Sequence, residues 1–182
     1  MRWTDSVEKI LVTEEQIKAR IAELGAQITK DYEGKKLIVV GILKGAIVFY
    51  SDLARHIDMP MTFDFLSVSS YGNSTVSSGE IKFMKDLDQP VEGYDILIVE
   101  DIVDSGRTLS YLRKNLEARN PSSVRVCCLL DKKERREVEV EVNYVGFDIP
   151  DEFVVGYGLD FAGMYRNLPY IGVLAPSAYE EV

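Results

Sequence analysis

Between Glu100 and Thr108 the chain carries three acids, two hydroxyls, a glycine and an arginine, in the order Glu100, Asp101, Asp104, Ser105, Gly106, Arg107, Thr108. An apolar run, Asp95 to Glu100 (DILIVE), precedes them, and helix-spaced leucines, Leu109, Leu112 and Leu116, follow. A buried strand that feeds such a turn at a helix N-terminus offers backbone N–H groups, hydroxyls and a cation to one anion. That is the chemistry of a phosphate cradle. The spacings G-x-x-x-x-G-K-[ST] and G-x-G-x-x-G are both absent, so the loop is neither of those nucleotide motifs. Glu100 and Asp101 can accept hydrogen bonds from sugar hydroxyls or surround Mg²⁺. A lone Asp104 would read as a helix N-cap. Three acids within five residues at a strand end, followed by Ser-Gly-Arg-Thr, ask for more than a cap.

Other chemistries are poorly supplied. The single histidine, His56, follows Arg55 on an expected helix, so no Ser-His-Asp triad and no multi-histidine metal centre can form. Cys127 and Cys128 are neighbours on an apolar run where successive side chains point to opposite faces, which suits neither a disulfide nor a zinc site. With 21 basic against 30 acidic residues the net charge is −9, which argues against a nucleic-acid partner. A polyanionic small substrate stays open if basic residues cluster locally or a metal intervenes.

The elements that must position the acids can be read from periodicity. At 182 residues, 46% hydrophobic and 28% charged, the chain has the usage of one globular domain rather than of a disordered, collagenous or coiled-coil protein. Thr13 to Ile28 reads as an amphipathic helix opened by a Thr13-x-x-Gln16 capping box. Leu37 to Leu43 is an unbroken β-branched run, the sign of a strand covered on both faces. A helix on Ile47, Tyr50, Leu53 and Ile57, a strand over Met61 to Val68, and a polar loop, Ser69 to Gly79, come next. Further strands are expected over Val124 to Leu130, Val138 to Tyr144 (alternating), Phe153 to Gly156 and Tyr170 to Leu174. Strands alternating with helices predict an α/β fold with a parallel sheet, whose ligands bind beyond the carboxyl ends of the strands. Lys44-Gly45, Glu100 to Thr108 and Asp131-Lys132 should therefore meet in one cleft. No apolar run is long enough to span a bilayer, and the N-terminus lacks a signal-peptide stretch. A cytoplasmic protein without a membrane partner is expected.

Val99 to Leu109 (VEDIVDSGRTL) resembles the phosphoribosyl-diphosphate (PRPP) motif of the type I phosphoribosyltransferases. Leu43-Lys44-Gly45, Ser70-Tyr71, Leu130-Asp131-Lys132-Lys133, and Phe153-Val154-Val155-Gly156-Tyr157 with Asp160 and Arg166 are similar, in the same order, to the hypoxanthine-guanine branch. Many members carry Thr and Lys where this chain has Ser105 and Arg107, swaps that keep the hydroxyl and the cation.

The resemblance implies a parallel-sheet, Rossmann-like phosphoribosyltransferase core over about residues 34–170. A small hood would be built from the N-terminal helix and the C-terminal segment of a single domain, 1–182. It implies transfer of the 5-phosphoribosyl group from PRPP to N9 of a 6-oxopurine base, giving a purine nucleotide and pyrophosphate, with Mg²⁺ as cofactor and a homodimer or homotetramer as the assembly. Glu100 and Asp101 would bind the ribose and Mg²⁺, and Asp104 to Thr108 the 5′-phosphate. Asp104 would double as the acid/base group at the purine ring. Leu43, Lys44, Gly45 and Arg166 would hold pyrophosphate, with a cis peptide between Leu43 and Lys44. Lys132, Phe153, Val154 and Asp160 would hold the purine, Asp160 also ligating a second Mg²⁺, and Ser70-Tyr71 would belong to a lid. Two rivals rank lower. A nucleotide-binding regulator without catalysis lacks a basic face at this charge, and a phospho-acceptor receiver domain would place its acid pair after the first strand.

Overall fold

An unbroken β-branched run has no polar side to offer solvent, so it folds where both of its faces are covered. In the computed structural model, which describes residues 2–70 and 81–179, the run LIVVGIL becomes β2 (Leu37–Leu43), inside a six-stranded sheet. The sheet order is β4 (Ile81–Lys85), β3 (Met61–Ser70), β2, β5 (Asp95–Val103), β6 (Ser123–Asp131), β7 (Tyr144–Asp148). All pairs are parallel except β3 with β4, which is an antiparallel edge.

The period-two alternation of the central strands divides the apolar residues between two cores. Leu37 and Val39 of β2, Leu97 and Val99 of β5 and Cys127 of β6 face α1 (Glu14–Asp31) and α2 (Ile47–Ala54). Ile38 and Val40, Ile96 and Ile98, and Cys128 face α3 (Arg107–Glu117). The two cysteines are buried free thiols on opposite faces, as the sequence led us to expect. Thr13 opens α1 as the capping box requires: its hydroxyl accepts from Gln16 N at 3.2 Å and Gln16 Oε1 accepts from Thr13 N at 2.9 Å.

A second, antiparallel sheet orders β1 (Val7–Val12), β9 (Ile171–Leu174) and β8 (Val154–Val155). Val155, Tyr165, Leu168 and Leu174 form its small core. The N-terminal end of the chain gives this sheet the strand β1, and Ile17, Ile21, Leu24 and Ile28 of α1 share one apolar cluster with Val12, Val154, Ile171 and Val173 of the sheet.

Two expectations change. Val138 to Tyr144 is not a strand up to Tyr144, where β7 begins. Its alternation is real, since Val138, Val140 and Val142 are half-buried, but Val140 and Val142 pack against the α3-side core, and Glu137 N and Val138 N donate to Ser105 O instead of to a ladder. Alternation reports which side meets an apolar surface, not whether a pairing partner exists. The polar loop expected from Ser69 begins later, because Ser69 and Ser70 still pair with Lys82 and Ile81. Tyr71 and the rest of that loop lie outside the described residues. Among those described, no helix is long and apolar enough to cross a membrane.

Candidate active site

The parallel pairing of β2, β5 and β6 brings their carboxyl ends to one edge. The strand expected to stop at Glu100 runs on to Val103, with Ile102 opposite Leu130 and Val103 opposite Asp131. Glu100 and Asp101 therefore sit on a strand that β6 holds along one side past the end of its pairing with β2 at Val99, rather than on a free loop. Glu100 Oε1 accepts from Asp101 N at 3.0 Å, and Asp101 Oδ1 from Ile102 N at 2.7 Å. Burial pushes the Glu100 carboxyl well above the ordinary range, and the Asp101 charge adds to the effect. Burial raises Asp101 too, against the opposing pull of the Glu100 hydrogen bond, Ile102 N–H and the Arg166 charge.

The end of β2 comes to this pair through Gly45. A Cβ there would stand 1.9 Å from Asp101 Oδ2, so only glycine allows the approach. The Leu43–Lys44 peptide is cis, as the resemblance implies. Lys44 is exposed and makes no ion pair among the described residues. On the far side of Gly45 lies Gly158, whose carbonyl accepts from Arg166 Nη1 at 2.6 Å. Arg166 Nη2 meets Asp160 Oδ1 at 3.0 Å, and Asp160 Oδ2 accepts from Gly163 N at 2.9 Å. Asp160 is thereby a partner of Arg166. Among the described residues no three acidic, histidine or cysteine side chains stand together as a metal site, so Asp160 does not join Glu100 and Asp101 in one cluster.

Beyond the acid pair, Glu100, Asp101, Asp104, Ser105, Gly106 and Thr108 line a cavity of about 180 Å³. The start of α3 faces it. Gly106 is the N-cap residue, in a left-handed conformation at φ 82°, and no side chain caps the helix. Apart from Arg107 N, which Ser105 Oγ meets, its first N–H groups are therefore left to a ligand or water. Asp104 is not the cap, which removes the bland explanation for that residue. Ser105 Oγ accepts from Arg107 N at 3.3 Å. The Arg107 guanidinium differs from expectation: its Nε is bonded to Glu137 on the exposed surface.

Lys132 continues from β6, its N donating to Val103 O at 3.0 Å, and its side chain is buried with Nζ 3.8 Å from Asp151 Oδ1. Val154 is buried in β8, while Phe153 is 41% exposed, enough ring face to meet a ligand. Phe161 packs edge-on against Phe153 at 5.7 Å and Tyr179 is tilted against it at 5.2 Å. Sequence reasoning missed both aromatics, as well as Arg135, Arg136 and Asp151. Arg135 and Arg136 belong to the run Asp131 to Arg136, which a sequence presents as a solvated charged stretch. Phe161 and Tyr179 are single aromatics without a periodic signal.

A model of the phosphoribosyl transferase domain matches residues 8–162. The hypoxanthine-guanine phosphoribosyltransferase of Bacillus subtilis (strain 168) is 55% identical over 174 residues, covering 96% of this chain and 97% of that protein. A solved hypoxanthine phosphoribosyltransferase from Staphylococcus aureus superimposes with a TM-score of 0.93 at 50% identity, covering 96% of this chain and 95% of that one. The hypoxanthine phosphoribosyl transferase of Trypanosoma cruzi, solved in work on how its C-terminal region affects oligomeric state and activity, gives 0.93 at 41% identity, covering 100% and 98%.

The acid pair has a measurable consequence. A carboxyl whose folded pKa lies above its unfolded value of about 4.3 binds its proton more readily in the fold, so its contribution to stability falls as pH rises through that interval. In metal-free buffer Glu100→Gln, which keeps the acceptor for Asp101 N, should melt above the parent at neutral pH. The gap should close as pH drops to about 4. Equal melting temperatures at neutral pH would contradict the burial of this carboxyl.

Proposed function

This chain belongs to the phosphoribosyl transferase family, and we propose that its cleft transfers the 5-phosphoribosyl group of PRPP to N9 of hypoxanthine or guanine, yielding IMP or GMP and pyrophosphate. The observation that carries this reading is the cavity in which an adjacent acid pair, an uncapped helix start and the Asp104 carboxyl face one another. A phosphorylated ribose needs each of them. The backbone N–H groups of 105 to 108, with the Ser105 and Thr108 hydroxyls, fit the 5′-phosphate. The Glu100 and Asp101 carboxylates fit the ribose hydroxyls. Arg107 reaches the phosphate only by leaving Glu137.

The same two carboxylates fit Mg²⁺. No ion pair among the described residues neutralises either of them, and a hard divalent cation is commonly held by two carboxylates plus substrate oxygens. Bound there, Mg²⁺ would balance charge building up on the departing pyrophosphate. Asp160, committed to Arg166 and Gly163, fits a positioning role for Arg166 better than a ligand role.

In the reaction the ribose C1′–O bond to pyrophosphate breaks, the N9–C1′ bond forms, and the purine ring gives up a proton. In this reading Lys44 and Arg166 are the two cations that meet the leaving pyrophosphate, Arg166 being held by Asp160 and the Gly158 carbonyl. The Lys132 ammonium suits the 6-oxo group and repels nothing there, whereas a 6-amino group would present it with a second donor. Phe153 offers an exposed ring for stacking, and the Val154 backbone can read the edge of the base. Asp104 accepts the ring proton. Ser70 and Tyr71 belong to the lid in this reading, excluding water that would otherwise hydrolyse PRPP.

Work in the cytoplasm suits the two free thiols. Assembly as a homodimer or homotetramer suits the exposed Ile47 and Phe63 on α2 and β3.

Two measurements test this. The purified chain, given PRPP and Mg²⁺, should convert hypoxanthine or guanine to its 5′-monophosphate and leave adenine untouched. Absence of turnover with every 6-oxopurine would refute the assignment. Asp104→Asn should fold normally and bind PRPP nearly as before, while kcat falls by about 10²–10⁴, the usual worth of general acid–base catalysis. A full kcat across the pH range would remove Asp104 as the base.

A further inference from the structure

Within the charged run Asp131 to Arg136, Asp131 and Lys132 are buried and Arg136 is half-buried, while Lys133, Glu134 and Arg135 stay exposed. Asp131 is 3% exposed and paired with Arg136, whose Nε donates to Asp104 O at 3.2 Å. After β6 a single 3-10 turn, Lys133–Arg135, swings the next guanidinium back over the phosphate loop. There Arg135 Nε stands 2.9 Å from Asp104 Oδ1, and Arg135 Nη1 stands 3.7 Å from Asp151 Oδ1. Two consecutive arginines thus grip the same residue, one at its backbone and one at its carboxyl.

Asp104 Oδ1 is sealed from solvent, its contact with Arg135 being an ion pair rather than an aligned hydrogen bond, although the side chain as a whole is 45% exposed. The exposure falls on the rest of the group, so Oδ2 is the oxygen left for a ligand. We propose that Arg135 is a positioning residue for Asp104, holding Oδ1 so that Oδ2 faces the purine instead of turning to cap α3. The proposal rests on the reading of Asp104 as the proton acceptor. Asp151 completes the device. It anchors Arg135 from the other side and lies 3.8 Å from Lys132 Nζ, so one carboxylate spaces the cation that orients the base and the cation that meets the 6-oxo group. Half-exposed ion pairs add little to stability, so the fold itself does not account for this arrangement.

The test is a double-mutant cycle read by the single-turnover rate of nucleotide formation, with thermal melting as the control for folding. Arg135→Ala should slow the rate by about tenfold, the scale of cost expected when a reacting group is misplaced by a fraction of an ångström. The KM for PRPP should stay within about twofold of the parent, and Arg135→Lys should recover part of the rate. In an Asp104→Asn background, adding Arg135→Ala should change the rate by less than about twofold, because the residue acts only through the carboxyl it holds. Arg135→Gln, which keeps the bulk of the side chain, serves if the alanine variant does not fold. A parental rate in the Arg135 variants, or the same slowing in the Asp104→Asn background, would overturn the proposal while leaving Asp104 as the base. A parental rate in Asp104→Asn alone would overturn the base assignment, and the role of Arg135 with it.

Discussion

Two neighbouring carboxyls, Glu100 and Asp101, are held side by side where three parallel strands end, and the rest of the cleft is arranged around that unfavourable contact. Burial pushes both toward protonation, and the Asp101 charge adds to the effect on Glu100. They stay in place because β5 continues past them to Val103 and is pinned by β6, so the backbone cannot relax to separate the charges. Sites of this kind are retained at a cost in stability because a ligand relieves it. The close approach of Gly45 to Asp101 extends the constraint to the end of β2, and Gly158 with Arg166 extends it to the segment after β8.

A second layer of charge surrounds the first. Asp104, Arg135, Asp151 and Lys132 form a chain of alternating sign and Asp131 pairs with Arg136 beside it, so each acid meets at least one cation. A chain with a net charge of −9 thus gathers three cations, Lys132, Arg135 and Arg136, at one groove, each beside a carboxylate. The overall charge says little about such a site, because the interactions that matter act within a few ångströms, well inside the screening length of about 8 Å at physiological salt.

What the sequence conveyed and what it hid follow from the range of the interactions involved. β2, β5 and β6 are legible because a buried parallel strand must be apolar on both sides, and the start of α1 is legible because Thr13 and Gln16 cap it locally. The phosphate loop is legible as a local arrangement too. The edge strand β4 is less so, since Ile81 and Phe83 alternate over only five residues, and β1 shows no clean alternation at all. The segment before β7 carries a strand-like pattern, yet its partners are side chains of another layer. Arg107 and Asp160 have the expected types at the expected places, but Glu137 and Gly163 are contacts that only the folded chain reveals. Likewise, Arg135 becomes meaningful only when the turn after β6 brings it to Asp104, 31 positions earlier by number.

The acid pair is what the cleft most depends on, and calorimetric titration with PRPP tests it most directly. Binding should be at least about tenfold tighter with Mg²⁺ than in metal-free buffer, and most of that gain should vanish in Asp101→Asn. PRPP binding of equal strength with and without Mg²⁺, or a gain that survives unchanged in Asp101→Asn, would contradict the role given to these two carboxylates.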